Sequence, residues 1–422
     1  MKSKVTARRS CKVRQSLLLA AVFLAPVLPA KSQIQLPDGN GKELVQKVCT
    51  LCHDLDRLST VNFSRADWKD LVDQMVIYGA PLSKENITVV SDYLAKSFPG
   101  SGMPVGVVIR GPIEARINEV RVPNGQRPGE SLYASDASVW FTAGRGLGRY
   151  DPRTGEFKRY PFKNPKSGAH SLAEDREGNV WFTATSAGYV GKLEPKTGEI
   201  TEYRLPEPVA SKYHLHDITV DQKGTVWFTV DDGNMVGRLT PRTGEMKLAT
   251  TPTPNSNPYE IQVNSKGVPF FTEFYKNRLG SIDPETMEIR EYELPNPGIR
   301  PKRLGFTADD VIWYDDYGRG YLGRFDPKTG AFKEWPSPGG RKSQPYGFTM
   351  VGDIVWYVEG NTKPVTVVRF DTKTEKFQTW LMPTMGERVH DIVHTPEGNV
   401  WLGRNSVNGG VLDMVEVKNG SR

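Results

Sequence analysis

The chain has 422 residues, of which 37% are hydrophobic and 25% charged, and this length is too great for one small domain. Its net charge of +6 comes from six cations near the N-terminus, because without them the 55 basic side chains fall to 49, equal to the 49 acidic ones. The balanced remainder gives no support for nucleic-acid or membrane-surface binding.

Residues 1–30 have the pattern of an export signal. Basic residues and no acidic ones precede an apolar stretch from Ser16 to Ala30, which is short for a membrane span. We therefore predict a cleaved signal peptide and a periplasmic or secreted protein without a membrane span after cleavage. An uncleaved N-terminal anchor is the alternative interpretation.

The next feature is a C-x-x-C-H motif, Cys49-Thr50-Leu51-Cys52-His53. Two thiols at this spacing form thioether bonds with the vinyl groups of a haem, and the adjacent histidine becomes the proximal iron ligand. The motif predicts one covalent haem c, held by Cys49 and Cys52 with His53 on the iron. A chance motif or a two-residue disulfide loop are the competing interpretations.

The segment around this motif, residues 37–98, has a helical pattern. The first helix is predicted from Gly41 to Cys49, a second after the N-cap residue Ser64, and a third after Ser83. Residues 99–113 are rich in glycine and proline and predict a flexible linker.

Residues 37–98 resemble a small class I cytochrome c, with the haem motif at the end of the first helix and Asp92-Tyr93-Leu94-Ala95 in the last. The resemblance implies a small all-α domain with a methionine on the iron opposite the histidine. Met75 is the first candidate, since it lies between the haem motif and the last helix. Met103 and an open or differently filled position are the alternatives.

Residues 114–417 are governed by a repeat of about 44 residues that begins with units such as Val226-Trp227-Phe228-Thr229. A turn sequence like Asp151-Pro152-Arg153-Thr154-Gly155 follows the strand pairs. Seven units predict an all-β seven-bladed propeller, in which the strand around 118–123 pairs with the last blade and closes the ring. The Trp or Phe of the repeat stands at positions 140, 181, 227, 270, 313, 356 and 401.

The repeat resembles the propeller of the streptogramin (virginiamycin B) lyase family. Those lyases open a cyclic depsipeptide by elimination, with a histidine base and Mg²⁺ held by His and Glu, and their blades begin with Pro-His-Gly-Ile. No blade here carries that complete motif. The residues at its place, predicted to surround one mouth of the channel, are His170, His216, Tyr259, Arg303, Tyr346 and His390.

A second set of side chains is predicted to join this mouth: Glu273, Asp315, Glu359 and Arg404. Imidazoles and carboxylates that converge can bind a metal, move protons or hold a polar ligand. The candidate catalytic residues are His216, Glu273 and His390, with Mg²⁺ as a possible cofactor. The alternative is a wet, polar channel whose side chains only bind water.

Together these features predict an exported c-type cytochrome that transfers electrons through its haem to a redox partner protein. The propeller then serves as a partner- or ligand-binding module. The alternatives are a streptogramin lyase-like carbon–oxygen lyase, a periplasmic dehydrogenase that passes electrons to the haem, and a non-catalytic sensor or scaffold.

Overall fold

A computed structural model of the chain describes residues 34–50, Leu55, Leu58, Val61, and the ranges 63–77, 80–383, 389–406 and 409–418. The predicted signal peptide and three residues of the predicted haem motif, Leu51, Cys52 and His53, lie outside the described residues. In the part of the chain that is described, no helix combines the length and apolar character that a membrane crossing requires.

The N-terminal part is helical. It contains α1 (Lys42–Leu44), continued by a π-helical turn (Val45–Cys49), then α2 (Arg65–Ile77) and α3 (Lys84–Ser97). The Ser83 side chain caps α3 by accepting a hydrogen bond from the Asn86 N–H. Helices are therefore present where the sequence predicts them, but their assignment to a cytochrome c domain stays a prediction.

Asp67 connects these helices with the propeller. Its carboxylate, which is 4% exposed, accepts hydrogen bonds from the Ser64 N–H (2.9 Å) and the Met103 N–H (3.3 Å). The Lys363 ammonium of the propeller lies 3.4 Å from the same carboxylate. One buried acidic side chain of α2 thus contacts the residue before its own helix, the segment after α3 and a propeller loop.

Residues 104–113 are not a free linker but lie along the sixth blade. The Lys363 N–H donates to the Pro104 carbonyl (2.9 Å), and the Thr379 N–H donates to the Ile109 carbonyl (3.0 Å). The flexibility predicted from composition is therefore not what the structure shows. Backbone groups of this segment bind the outer strand of a blade, and composition cannot report such a partner.

The rest of the chain forms seven four-stranded antiparallel sheets arranged as the blades of a propeller. The strands of blades one to three, with the short helix α4 (Val209–Lys212) before blade three, are β2 (Ser131–Tyr133), β3 (Val139–Thr142), β4 (Gly146–Asp151), β5 (Glu156–Pro161), β6 (Ala169–Glu174), β7 (Val180–Ala184), β8 (Tyr189–Leu193), β9 (Ile200–Arg204), β10 (Leu215–Val220), β11 (Val226–Val230), β12 (Met235–Thr240) and β13 (Glu245–Thr250). Blades four to six contain β14 (Pro258–Val263), β15 (Pro269–Glu273), β16 (Arg278–Ile282), β17 (Ile289–Glu293), β18 (Pro301–Phe306), β19 (Ile312–Asp316), β20 (Tyr321–Phe325), β21 (Phe332–Pro336), β22 (Pro345–Val351), β23 (Ile354–Glu359), β24 (Thr366–Asp371) and β25 (Lys376–Leu381).

The seventh blade joins the two ends of the propeller sequence. It consists of β26 (Val389–His394), β27 (Val400–Ser406), β28 (Gly409–Lys418) and β1 (Glu114–Arg121), with β1 paired antiparallel to β28. The predicted seven blades and the predicted closure of the ring by the first strand are both confirmed. Closure pairs an edge strand that would otherwise be open.

The Trp, Phe and Thr of the Val-Trp-Phe-Thr repeat each have a structural role, which blade three illustrates. Trp227 and Phe228 are fully buried, and the Phe228 ring covers Gly237 of the neighbouring strand. The Thr229 hydroxyl accepts a hydrogen bond from the Asp217 N–H (3.0 Å) and donates one to the Tyr259 carbonyl of blade four (2.9 Å). The repeat therefore encodes the blade core and a hydrogen bond between blades at the propeller axis.

Candidate functional site at the propeller axis

The inner strands of blades two to seven have a register irregularity at the same place. In β10, for example, pairing with β11 breaks between Leu215 and Ile218. The residues at this irregularity bring polar side chains to the axis. We call the residues that lie at these irregularities, one from each of the six blades, the axial ring: His170, His216, Tyr259, Lys302, Tyr346 and His390.

Members of the axial ring contact one another, both neighbours in the ring and residues further apart. The ring centroids of His170 and His216 are 4.0 Å apart, and those of His216 and Tyr259 are 3.7 Å apart. The Tyr346 and His390 centroids are separated by 5.8 Å, and the Tyr259 and Tyr346 hydroxyl oxygens by 3.4 Å. The structure thus brings together five of the six side chains that the sequence placed at the mouth.

The sixth position belongs to Lys302, not to the expected Arg303. The pairing of β18 with β19 breaks between Pro301 and Leu304, so both residues lie in the irregular turn and Lys302 takes the ring position. Lys302 is 1% exposed, and its ammonium lies 3.5 Å from the Tyr346 ring centroid and 5.0 Å from that of Tyr259. These cation–π contacts stabilise a buried positive charge.

Arg303 forms a second group, the axial ion cluster, with Glu130, Glu260 and Asp391. Its guanidinium lies 2.6 Å from the Glu130 carboxylate, 2.8 Å from Glu260 and 3.8 Å from Asp391. All four residues are buried. The cluster crosses the axis, because its members come from blades one, four, five and seven.

Two of the three histidines in the axial ring, His170 and His216, are neutral at physiological pH. Burial, with the cations Arg303 and Lys302 as further causes, lowers the pKa of His170 to about 3. Burial also lowers the pKa of His216 well below its usual range, with the neighbouring His170 and Arg303 as further causes. The His216 Nδ1 lies 3.1 Å from the Tyr259 carbonyl oxygen. A neutral imidazole that donates there keeps its Nε2 as a proton acceptor.

The carboxyl groups near Arg303 hold protons more strongly than usual. Burial raises the pKa of Glu130 to about 8, and it raises the pKa of Glu260 well above its usual range. Asp217 and Asp391 also have raised pKa values, again mainly because of burial. One guanidinium cannot neutralise four buried carboxylates, so some of them remain protonated at neutral pH.

The remaining predicted mouth residues make most of their contacts elsewhere. Glu273 lies at the end of β15 with Glu291, Arg278 and Lys276 as its charged neighbours. Asp315 accepts a hydrogen bond from the Arg303 N–H (2.5 Å), and the Glu359 carboxylate accepts one from the Ser337 hydroxyl (2.5 Å).

Arg404 belongs to the closure of the ring. Its guanidinium pairs with Asp413 of β28 at 2.7 Å and with Glu119 of β1 at 2.6 Å. Only Asp315 of this second set therefore contacts the axial ion cluster.

Several axial residues were not among the candidates chosen from the sequence: Lys302, Glu130, Asp217, Glu260 and Asp391. The sequence carried a signal for Asp217, Glu260 and Asp391, because each directly follows a residue of the axial ring. Lys302 also carried a signal, because it precedes Trp313 by the same number of residues as His216 precedes Trp227.

The axial residues do not fit a Mg²⁺ ion. Within the described ranges, no three His, Cys, Asp or Glu side chains are grouped so that they could hold a metal ion. The carboxylates that converge on the axis are directed to Arg303 instead. Mg²⁺ therefore has no role in the chemistry considered for this site.

The N-terminal helices surround a separate apolar cluster that includes the buried residues Val45, Trp68 and Leu94. Half-buried Cys49 packs against this cluster, as does Met103. Met75 is half-buried in α2. A half-buried thiol beside an apolar cluster fits covalent attachment of a haem, whose porphyrin is largely apolar.

Seven four-stranded blades closed by the first strand, with polar side chains converging on the axis, define a β-propeller protein with a candidate site at its centre. The chain belongs to the virginiamycin B lyase family, whose sequence model matches residues 105–350 and 209–412. No curated protein matches the chain. The family match begins at residue 105, so the cytochrome c prediction for residues 37–98 is not supported by it.

Solved structures of lyases resemble the propeller. A streptogramin B lyase structure has a TM-score of 0.65 and 25% sequence identity, covering 72% of this chain and 98% of that one. Virginiamycin B lyase from Staphylococcus aureus has a TM-score of 0.64 and 24% identity, covering 72% of this chain and 100% of its own. A catalytically inactive histidine-to-alanine variant of that lyase with quinupristin gives the same values.

Proposed function

We propose that the propeller binds a carbonyl-bearing ligand at the axial ring and breaks a carbon–oxygen bond by elimination. The observation that carries this proposal is the contact of His170, His216 and Tyr259 beside the Lys302 ammonium at the centre of a virginiamycin B lyase family propeller. A neutral imidazole accepts a proton, and nearby cations stabilise the negative charge that develops on a carbonyl oxygen.

In such a reaction, His216 Nε2 would take the proton from the carbon next to a carbonyl group. A carbon–carbon double bond then forms as the adjacent carbon–oxygen bond breaks, and the bonding electron pair leaves with the carboxylate. Lys302 would favour the enolate-like charge distribution, because its ammonium is buried at the axis. The product of ring opening has the same mass as the cyclic substrate.

The test is incubation of the full exported chain with a streptogramin B-type depsipeptide such as quinupristin, followed by mass spectrometry. We expect a linear product of unchanged mass, whereas hydrolysis would add one water. His216→Ala is expected to lower the rate about 100-fold or more, the usual contribution of a general base.

The matched control for this prediction is His214→Ala, since His214 lies off the axis and pairs with Asp232 at 3.2 Å. That variant is expected to retain the wild-type rate. An unchanged rate in His216→Ala, or the absence of any product of unchanged mass in the wild-type chain, would contradict the proposal.

A second candidate function, haem-mediated electron transfer, is favoured by the C-x-x-C-H motif. Cys49 and Cys52 would hold the haem through thioether bonds, and His53 would ligate its iron. The haem supplies one-electron chemistry when bound. We propose a periplasmic or secreted location and a redox partner protein with this function, because haem attachment to this motif requires export.

The absorption spectrum of the chain expressed with a haem c maturation system tests this second candidate. We expect a c-type spectrum with the weak far-red band of a thioether on ferric iron. Met75→Ala is expected to abolish that band, while the matched variant Met103→Ala is expected to keep it. Loss of the band only in Met103→Ala would overturn the assignment to Met75, and the absence of covalent haem would overturn this function.

A further inference from the structure

The axial ion cluster connects blade five with blades one and seven, which are not its neighbours around the propeller. Arg303 belongs to blade five, whereas Glu130 precedes β2 of blade one and Asp391 belongs to blade seven. The Arg303 Nη2 lies 2.6 Å from the Glu130 carboxylate, and its Nη1 lies 2.8 Å from that of Glu260. A single side chain that is 4% exposed therefore spans the axis.

The partners of Arg303 are neighbours in sequence of axial ring residues. Glu260 follows Tyr259, and Asp391 follows His390. The Arg303 Nη2 also lies 3.4 Å from the His390 carbonyl oxygen. The guanidinium is thus linked, through the Glu260 side chain and the His390 carbonyl, to the backbone that carries Tyr259 and His390.

We infer that Arg303 is a positioning residue, whose guanidinium sets the separation of the axial ring side chains by tying blades one, four, five and seven together. The inference rests on the proposed function of the axial ring as the ligand site. Arg303 itself is not a member of the axial ring.

The chemistry of arginine suits this role better than that of lysine. The planar guanidinium offers five N–H donors in a rigid fork, so it can hold several carboxylates at defined directions. An ammonium group is a point charge on a flexible stem and does not fix directions in this way. Arg303→Lys therefore keeps the charge but loses the geometry.

The experiment uses the full chain with isotope-labelled histidine rings, and it records their NMR resonances in Arg303→Lys and Arg303→Met. The chain has six histidines, among which His214 and His394 lie outside the axial ring and serve as internal references. We expect the His216 and His390 resonances to move by more than their line width in both variants. The His214 resonance is expected to stay in place.

Arg404→Met is the matched control, because Arg404 is another buried arginine that pairs with two carboxylates, Asp413 and Glu119. Loss of either buried arginine is expected to lower the melting temperature by about 10 °C. Only the Arg303 variants are expected to move the axial resonances, so general destabilisation is separated from positioning.

The inference is overturned if the axial resonances stay in place in Arg303→Lys, or if Arg404→Met moves them to the same extent. Should Arg303→Met fail to fold, Arg303→Lys and Glu260→Gln carry the same comparison. The readout needs no substrate, so a chain without lyase activity would refute the proposed function and leave this test intact.

Discussion

Replacing Gly237 by alanine is expected to destabilise the propeller by about 3 kcal/mol, at the upper end of overpacking costs. A Cβ atom at this position would lie 2.1 Å from Cζ of Phe228, which is fully buried on the paired strand. Neither the ring nor the strand can move away without opening the core of blade three. Urea unfolding monitored by tryptophan fluorescence measures the loss.

Two comparisons separate this clash from other costs of adding a methyl group. Gly224→Ala adds a Cβ in open space at a φ of +79°, so only about 1 kcal/mol of backbone strain is expected. The double variant Gly237→Ala with Phe228→Ala removes the ring that causes the clash. Its destabilisation is expected to be smaller than that of the two single variants added together, and strict additivity would refute the explanation.

Glu273→Gln is expected to stabilise the protein at pH 8 by about 2 kcal/mol and to leave stability near pH 4.5 almost unchanged. Burial, together with the nearby Glu291 carboxylate, raises the pKa of Glu273 to about 8. Its side chain is fully buried, and neither carboxylate oxygen has a hydrogen-bond partner within the described ranges. Ionisation of this group in the folded state is therefore unfavourable.

The direction of the pH dependence follows from this raised pKa. Below the ordinary glutamate pKa of 4.5, both the folded and the unfolded chain hold the proton. As the pH rises from there to about 8, the unfolded chain releases the proton first, so the stability contributed by Glu273 is progressively lost.

Melting temperatures of the wild type and Glu273→Gln between pH 5 and pH 8 test this prediction. The wild-type curve is expected to fall toward pH 8 more steeply than that of the variant. The control is Asp151→Asn, because the Arg153 side chain lowers the pKa of the Asp151 turn carboxyl to about 2, outside this range. Parallel curves for wild type and Glu273→Gln would contradict the assignment.

Much of the fold could be predicted because its determinants are local and repeated. The Val-Trp-Phe-Thr units identify the second strand of the blades, and the Asp-Pro-x-Thr-Gly turns mark hairpins. In the turn at Asp151, the Gly155 N–H donates to the Asp151 carbonyl at 2.8 Å and Gly155 has a φ of 75°. Seven such units leave a ring as the simplest way to bury their faces, with the first strand closing it.

The candidate site was less predictable, and the reasons are particular. The partners of Arg303 could not be read from the repeat, because Glu130 and Asp391 belong to blades that are not neighbours of blade five. Glu273 and Arg404 occupy equivalent positions of their strands, yet one contacts other charges of blade four and the other closes the ring. Such differences depend on which side chains neighbouring strands present.

The number of blades and the strand that closes the ring could be predicted from the repeat in the sequence, because both follow from periodic burial within short segments. The sequence also supplied the C-x-x-C-H motif on which the haem prediction rests. The contact between Arg303 and Glu130 at the centre of the propeller, by contrast, joins residues 173 positions apart and is seen only in the tertiary structure. The reason is that closure of the ring brings the inner strands of distant blades to one axis, where buried charges must find partners across it.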